Sequence, residues 1–413
     1  MRTPGARRGG PEVLVILDGA SEPLGAGALG AGPLGSEPLG SEPTSLERAA
    51  TPALDALCAA GTLTRVRTVA PWLEAGSEHA IPALLGWVPP APVDRGAIEA
   101  AARGIEVPAG CRAWRVDVRV ALDGARADAG AVRESVGEVL ARADAGAVRE
   151  ARASADAGTD ADAGIGAVRE VCGGRGASPR FAVHALGGHR LLVVGSAPLP
   201  TLPALAGLTL HAWPQGVVPP RLLGADTVVI AAPGAAAGIA RLMGARVVTP
   251  PGATGQPGSD LAAKARAAID AIADGAARVV VHVGAPDEAA HELDAAGKVI
   301  AIEAADRDLI APLVATVRAA GGTLRICPDH GCDPADGRHV AAPVPCLTWS
   351  AQGAPSSAQR APDFAQGAPL SAQRAPDCAQ GTPRSAHVAP RLTERAVAGL
   401  PVVELAQRER VAA

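Results

Sequence analysis

The chain has 413 residues and a formal net charge of −4 with no basic block, which argues against a nucleic-acid partner. Two Phe, no Tyr and five Trp supply no stacking platform for bases. Seven cysteines, odd in number and without a CxxC pair, suit reduced thiols in a cytoplasmic protein better than a disulfide framework. The length allows two compact domains, or one large core carrying an insertion. The apolar run at 13–17 is too short for a signal peptide. The longest uncharged stretch, 191–210, is interrupted by prolines and glycines, so no membrane span is expected.

In chain order, EVLVIL at 12–17 predicts a central strand that delivers Asp18 at its C-terminal edge. The Leu-Gly-Pro-rich segment 24–43 reads as a flexible loop. Thr51 and Pro52 open an amphipathic helix, Thr51 as N-cap and Pro52 at the first helical position. Ser77, in Gly76-Ser77-Glu78-His79-Ala80, leads into an apolar helix at 81–85. A serine there is either a cap or a nucleophile, whose alkoxide and phosphorylated forms a helix N-terminus and a nearby metal would stabilise. The local residues leave both open.

Between 94 and 215 the character changes. Arg95, Arg103, Arg112, Arg115 and Arg119 come close together, followed by three ADAGAVRE-like units at 127–134, 143–150 and 161–170. These read as an expanded surface helix or loop. Strands are expected at 227–230, 245–248, 278–283 and 323–327, with helices at 261–273 and 299–320. This alternation argues for a mainly parallel sheet. A period-14 repeat within 350–390, rich in Pro, Gln and Ser, reads as a disordered insertion, and a short helix is expected at 392–398.

Four of the nine histidines, His282, His291, His330 and His339, fall within 281–346. Asp287 and His291 stand one helical turn apart and share a face. Asp329 and His330 sit together at a strand end, and His339 follows in a Gly- and Pro-flanked loop. Two carboxylates and three imidazoles make a ligand set for a divalent metal, and imidazole favours Zn or Mn over Ca or Mg. Cys327 and Cys332 flank Asp329-His330 and read as packing residues.

The blocks VLVILDG, TPALDALCAAG, GSE with ALLGW, RGAIEAAARGIEV, AWPQG, GIARLMGARVVTPPGATG, VHVGAPDEAAHELD, CPDHG and HVAAPVPCL occur in that order across nearly the whole chain. Together they resemble the archaeal-type cofactor-independent (2,3-bisphosphoglycerate-independent) phosphoglycerate mutases of the alkaline phosphatase superfamily. That resemblance implies an α/β fold, a mainly parallel sheet flanked by helices. The core would be formed by 11–94 and 216–413, with a smaller α+β domain inserted at 95–215. It also implies two divalent metal ions, Mn or Zn. Asp287, His291 and His339 would hold one, and Asp18, Ser77, Asp329 and His330 the other, with Ser77 the phosphorylated nucleophile. Arg95 and Arg190 would clamp phosphate or carboxylate of a small phosphorylated metabolite. The oligomeric state is left open.

Three departures from the family pattern bear on the substrate. Ala237 stands where the family usually has a lysine before its GIA segment. No PHD motif follows His189-Arg190, and the nucleophile segment reads GSEHAI in place of GSDVAH. The expected function is mutase-like transfer between 3-phosphoglycerate and 2-phosphoglycerate through a phosphoserine. The alternatives are a metal-dependent phosphohydrolase or phosphotransferase of the same fold acting on another phosphorylated or phosphonate metabolite, and a non-catalytic metal-binding scaffold.

Overall fold

The computed structural model describes residues 10–24, 42–120, 181–186, 190–196, 198–199, 208–352 and 390–405. Most of the low-complexity stretches read at 24–43 and 350–390, all of 126–170, and His189 lie outside the described residues.

The strands are β1 (Glu12–Leu17), β2 (Thr62–Arg67), β3 (Arg112–Val120), β4 (Phe181–Ala185), β5 (Arg190–Gly195), β6 (Leu208–Ala212), β7 (Thr227–Ile230), β8 (Arg246–Val248), β9 (Arg278–Val283), β10 (Thr323–Cys327), β11 (Gly331–Asp333), β12 (Arg338–Val340), β13 (Val344–Ser350) and β14 (Val402–Glu404). An eight-stranded sheet runs β14-β2-β13-β10-β1-β9-β7-β8, and a four-stranded sheet runs β4-β5-β3-β6. The described residues group into two compact units, Met1–Val93 with Pro219–Ala413, and Asp94–Val218.

In the first unit β1 pairs in parallel with both β9 and β10, and β7 in parallel with β8 and β9. In the eight-stranded sheet, among the described residues, only β13 runs against both its neighbours, β10 and β2. Val13, Val15 and Leu17 enter one apolar cluster with Val279, Val281, Leu324 and Ile326. Leu14 and Ile16, on the opposite face of β1, are also fully buried. A parallel strand buried on both faces must be apolar throughout, which is why these strands read as unbroken runs. Register does the rest. Leu17 lies opposite Val283, and Ile16 lies opposite both His282 and Cys327. The three chains therefore leave the sheet at one edge, where open α/β sheets place their sites.

Two local expectations differ from the structure, and Asp306 figures in both. The helical pattern at 299–320 is three pieces, Ala295–Ala305, a wider turn at Asp306–Ile310, and Ala311–Ala319. Thr51 stands at the N-cap of helix Pro52–Ala60 without a side-chain capping bond. The Asp306 carboxylate instead accepts from Ala53 N at 3.1 Å and Leu54 N at 2.7 Å. Those are the orphan amides an N-cap would serve, so the cap comes from across the core.

Among its described residues, the second unit has an antiparallel sheet and the helix Arg95–Arg103, an α+β arrangement. Asp94 caps that helix by accepting from Ala97 N at 2.9 Å. Trp114, Val116, Val118, Leu191 and Val193 form the unit's own core.

Candidate metal centre

Asp18 follows β1 directly, and its position depends on the next residue. Gly19 has φ +59°, and a Cβ there would stand 2.3 Å from Asp287 Oδ1. The backbone of one loop thus lies against the carboxylate of another, an approach and a conformation that favour glycine. Gly19 N also donates to Asp329 Oδ1 at 3.1 Å. Ser77 is the first residue of helix Ser77–Leu84, with Gly76 at the N-cap. Its hydroxyl donates to Asp18 Oδ1 at 3.1 Å and lies 3.2 Å from His330 Nε2. Asp287 and His291 occupy one face of helix Ala285–His291, and His339 comes from the β11–β12 hairpin, opposite Cys332.

The seven residues expected from the family pattern form a continuous set of close contacts. His330 Nε2 is 3.5 Å from both Asp18 Oδ1 and Asp329 Oδ2. His291 Nε2 is 3.2 Å from Asp287 Oδ2, and His339 Nε2 is 3.4 Å from Asp287 Oδ1 and 2.9 Å from His291 Nε2. Around a cation about 2.1 Å from each ligand, neighbouring ligand atoms stand about 3.0 Å apart in an octahedron and about 3.4 Å in a tetrahedron. The observed spacings match those edges.

Proton placement supports the same fit. His291 Nδ1 faces the Gly337 carbonyl at 2.8 Å, His330 Nδ1 the Gly331 carbonyl at 3.1 Å, and His339 Nδ1 the Ala75 carbonyl at 3.2 Å. A carbonyl only accepts, so each Nδ1 carries a proton, and each Nε2 faces the carboxylates, where it can give its lone pair to a cation once its own proton is shed. Two Nε2 lone pairs 2.9 Å apart repel unless a cation or proton lies between them. His282 Nε2, Asp287 Oδ1 and Asp329 Oδ2 are buried without hydrogen-bond partners. Unsatisfied buried atoms of this kind are costly in a core and natural around a cation.

Burial, then the charges of Asp329 and Asp287, push the Asp18 carboxyl well above the usual carboxylate range. Burial also opposes ionisation of Asp287, but the three imidazoles around it outweigh burial and hold it well below that range. Burial lowers the His282 imidazole to about 4 and Lys264 to about 8. Lys264 is fully buried and donates from Nζ to the His282 carbonyl at 2.7 Å. Cys332 lies within the Asp287, His291 and His339 group. Burial, then the charge of Asp287, pushes its thiol up.

Arg95 and Arg190 belong to the second unit. The Arg95 guanidinium stacks 3.7 Å from the centre of the Trp213 ring, and Arg190 Nη1 lies 4.0 Å from Glu99 Oε1. Sequence reasoning placed His282 in the ligand-rich window without a role and passed over Lys264. An imidazole inside an otherwise all-valine strand end was the available signal for the first.

Fold and centre together define a divalent-metal-binding α/β protein of alkaline phosphatase-like architecture with an additional antiparallel sheet. The family model described as Metalloenzyme superfamily matches residues 13–374, and the chain belongs to that family. It is similar to the 2,3-bisphosphoglycerate-independent phosphoglycerate mutase of Methanoculleus marisnigri, with 29% identity over 346 residues, 74% of this chain and 82% of that one. It is 36% identical to the enzyme of that name from Methanopyrus kandleri over 128 residues, 31% of this chain and 30% of that one. The chain thus spans about a third of the length of the first curated relatives it matches. Among solved structures, the PH0037 protein from Pyrococcus horikoshii shares the fold, with a TM-score of 0.56 and 22% identity over 83% of this chain and 86% of that one. Among the described residues, no helix is long and apolar enough to cross a membrane.

Proposed function

We propose that the chain is a metal-dependent, phosphoglycerate mutase-like isomerase that moves a phosphoryl group between the two hydroxyls of glycerate through a phosphoserine at Ser77. The observation that carries this reading is the position of the Ser77 hydroxyl, 3.1 Å from Asp18 Oδ1 and 3.2 Å from His330 Nε2, at the first turn of a helix. In that reading Asp18, Ser77, Asp329 and His330 hold one divalent ion, Mn or Zn, and Asp287, His291 and His339 hold a second. When bound, such a pair polarises the phosphoryl oxygens and lowers the pKa of a nearby hydroxyl.

The remaining chemistry belongs to the chain. Ser77 Oγ forms the bond to phosphorus as the ester bond to glycerate breaks, and its proton leaves with the glycerate oxygen. The helix N-terminus offers backbone N–H groups to the phosphoserine dianion. Glycerate turns over and takes the phosphoryl group back on its other hydroxyl, so no free phosphate appears. Arg95 and Arg190 would bind anionic groups of the metabolite through their planar forks.

Ala237 favours a second reading. It is a fully buried alanine where the resembling family carries a lysine. Without that cation the acceptor is held less firmly, and water replaces it, giving a phosphohydrolase. Acid-quenched peptide mapping after incubation with Mn and 3-phosphoglycerate tests what both readings share. Phosphate on the Ser77 peptide, absent from Ser77→Ala, is expected; a turning-over enzyme whose Ser77 peptide is never phosphorylated contradicts it.

A further inference from the structure

We infer that His282 is an additional metal ligand, binding through Nε2 beside Asp18 and Asp329 and adding a second imidazole to the cation otherwise held by Asp18, Ser77, Asp329 and His330. This rests on the reading of the centre as a metal site. The family pattern leaves His282 out of its seven ligands.

Three observations carry the inference. His282 Nε2 lies 3.2 Å from Asp18 Oδ2, within the range of ligand–ligand edges seen elsewhere in the centre. Ligand atoms of Asp18, His282 and Asp329 all lie within 4.8 Å of one another. Both His282 Nε2 and Asp329 Oδ2 are buried without a hydrogen-bond partner, and Asp329 is fully buried. An imidazole this close to a carboxylate ordinarily hydrogen-bonds it. Here the contact lacks that alignment, which leaves the nitrogen directed at a group of carboxylates with nothing but a cation to join them.

The two oxygens of Asp18 divide the work. Oδ1 faces Ser77 and His330, while Oδ2 faces His282. The strand is held for the purpose. His282 sits in β9 opposite Ile16 of β1, and the fully buried Lys264 spends its ammonium on the His282 carbonyl. With His282 included, each cation of the pair receives two imidazoles, which tilts selection further from Mg and Ca toward Zn, Co or Mn.

Titration of the chelator-treated full chain with Co²⁺, followed by visible absorption and by stoichiometry, tests this. Wild type is expected to bind in two steps. In His282→Gln one step should weaken by at least about tenfold and change its ligand-field absorption, with the other step unmoved. A substitution inside β9 can weaken the strand by itself, so His282→Gly serves as the second variant. Free imidazole should restore both the affinity and the spectrum of the affected step. Two steps of wild-type affinity and spectrum in His282→Gln would overturn the inference and leave the metal centre standing. Weakened binding with an unchanged spectrum and no imidazole rescue would also overturn it, making His282 a positioning residue for Asp18. Wild type that binds no Co²⁺ would remove the metal centre itself.

Discussion

Gly19 shows how closely the centre is assembled at the level of single residues. A methyl group there meets the Asp287 carboxylate, and the backbone conformation is one that other residues adopt at a cost of about 1–3 kcal/mol. Gly19→Ala should therefore lower stability by that order and weaken metal binding, readable by denaturant unfolding and metal titration. Ser77→Ala should act on the chemistry more than on the fold. Metal-free stability is expected to fall by about 1 kcal/mol, the worth of the lost hydrogen bond to Asp18, while turnover falls by on the order of 10³ or more. The candidate ligands could be picked out as a group because their chemistry is written in residue type and spacing: Asp287 and His291 one turn apart, Asp329 and His330 adjacent, both after apolar runs. What orients them was not legible. The acceptors for the three Nδ1 protons are main-chain carbonyls of Ala75, Gly331 and Gly337, and any residue type supplies a carbonyl.

At the scale of elements, β1, β9 and β10 could be read directly because burial on both faces demands unbroken apolar runs. Strands β2 (TLTRVR) and β13 (VPCLTWS) could not, because their half-exposed or Pro-containing sequences carry no such run. The helix read at 299–320 missed its wider turn at Asp306–Ile310, where Asp306 also caps a helix some 250 positions earlier, a tertiary contact that local sequence does not carry. The short helix Glu394–Val397 has a comparable long-range role. The Glu394 carboxylate accepts from Ser21 Oγ at 3.0 Å, Glu22 N at 2.8 Å and Thr44 Oγ1 at 2.8 Å, tying the chain after β1 to the C-terminal segment. Burial raises this carboxyl despite those donors. A folded pKa above the unfolded one contributes stability that is complete below the unfolded pKa and lost as pH rises through the folded one. Glu394→Gln should remove that dependence. Unfolding of metal-free protein at ~pH 4 and ~pH 7 should show the variant gaining on wild type at the higher pH. An equal difference at both would contradict the assignment.

At the scale of the whole molecule, carboxylates, imidazoles and the Ser77 hydroxyl from four distant stretches, near 18, 77, 287–291 and 329–339, meet at one edge of the parallel sheet. Held without cations, this assembly sets three carboxylates and unpartnered lone pairs against one another in a buried place. Metal binding and folding should therefore be linked. Metal at about 100 times its Kd adds about 2.7 kcal/mol, so thorough chelation should lower the melting temperature and added Mn or Zn should restore it. A melting temperature indifferent to both would contradict the metal centre. The order of blocks made the architecture legible from the chain, because parallel strands with crossover helices leave a regular alternation. The repeat units at 127–170 and 353–389 gave no such pattern, and they lie outside the described residues.

The central claim is phosphoryl transfer that returns the group to glycerate. The most direct measurement supplies Mn-loaded protein with 3-phosphoglycerate, follows phosphoenolpyruvate formation through enolase, and records inorganic phosphate in parallel. Enolase-coupled product without free phosphate is the predicted result, and it would show that Ala237 is tolerated in a mutase. Free phosphate without coupled product would contradict the mutase and favour hydrolysis, and neither signal from metal-loaded protein would assign the centre to a different phosphorylated metabolite.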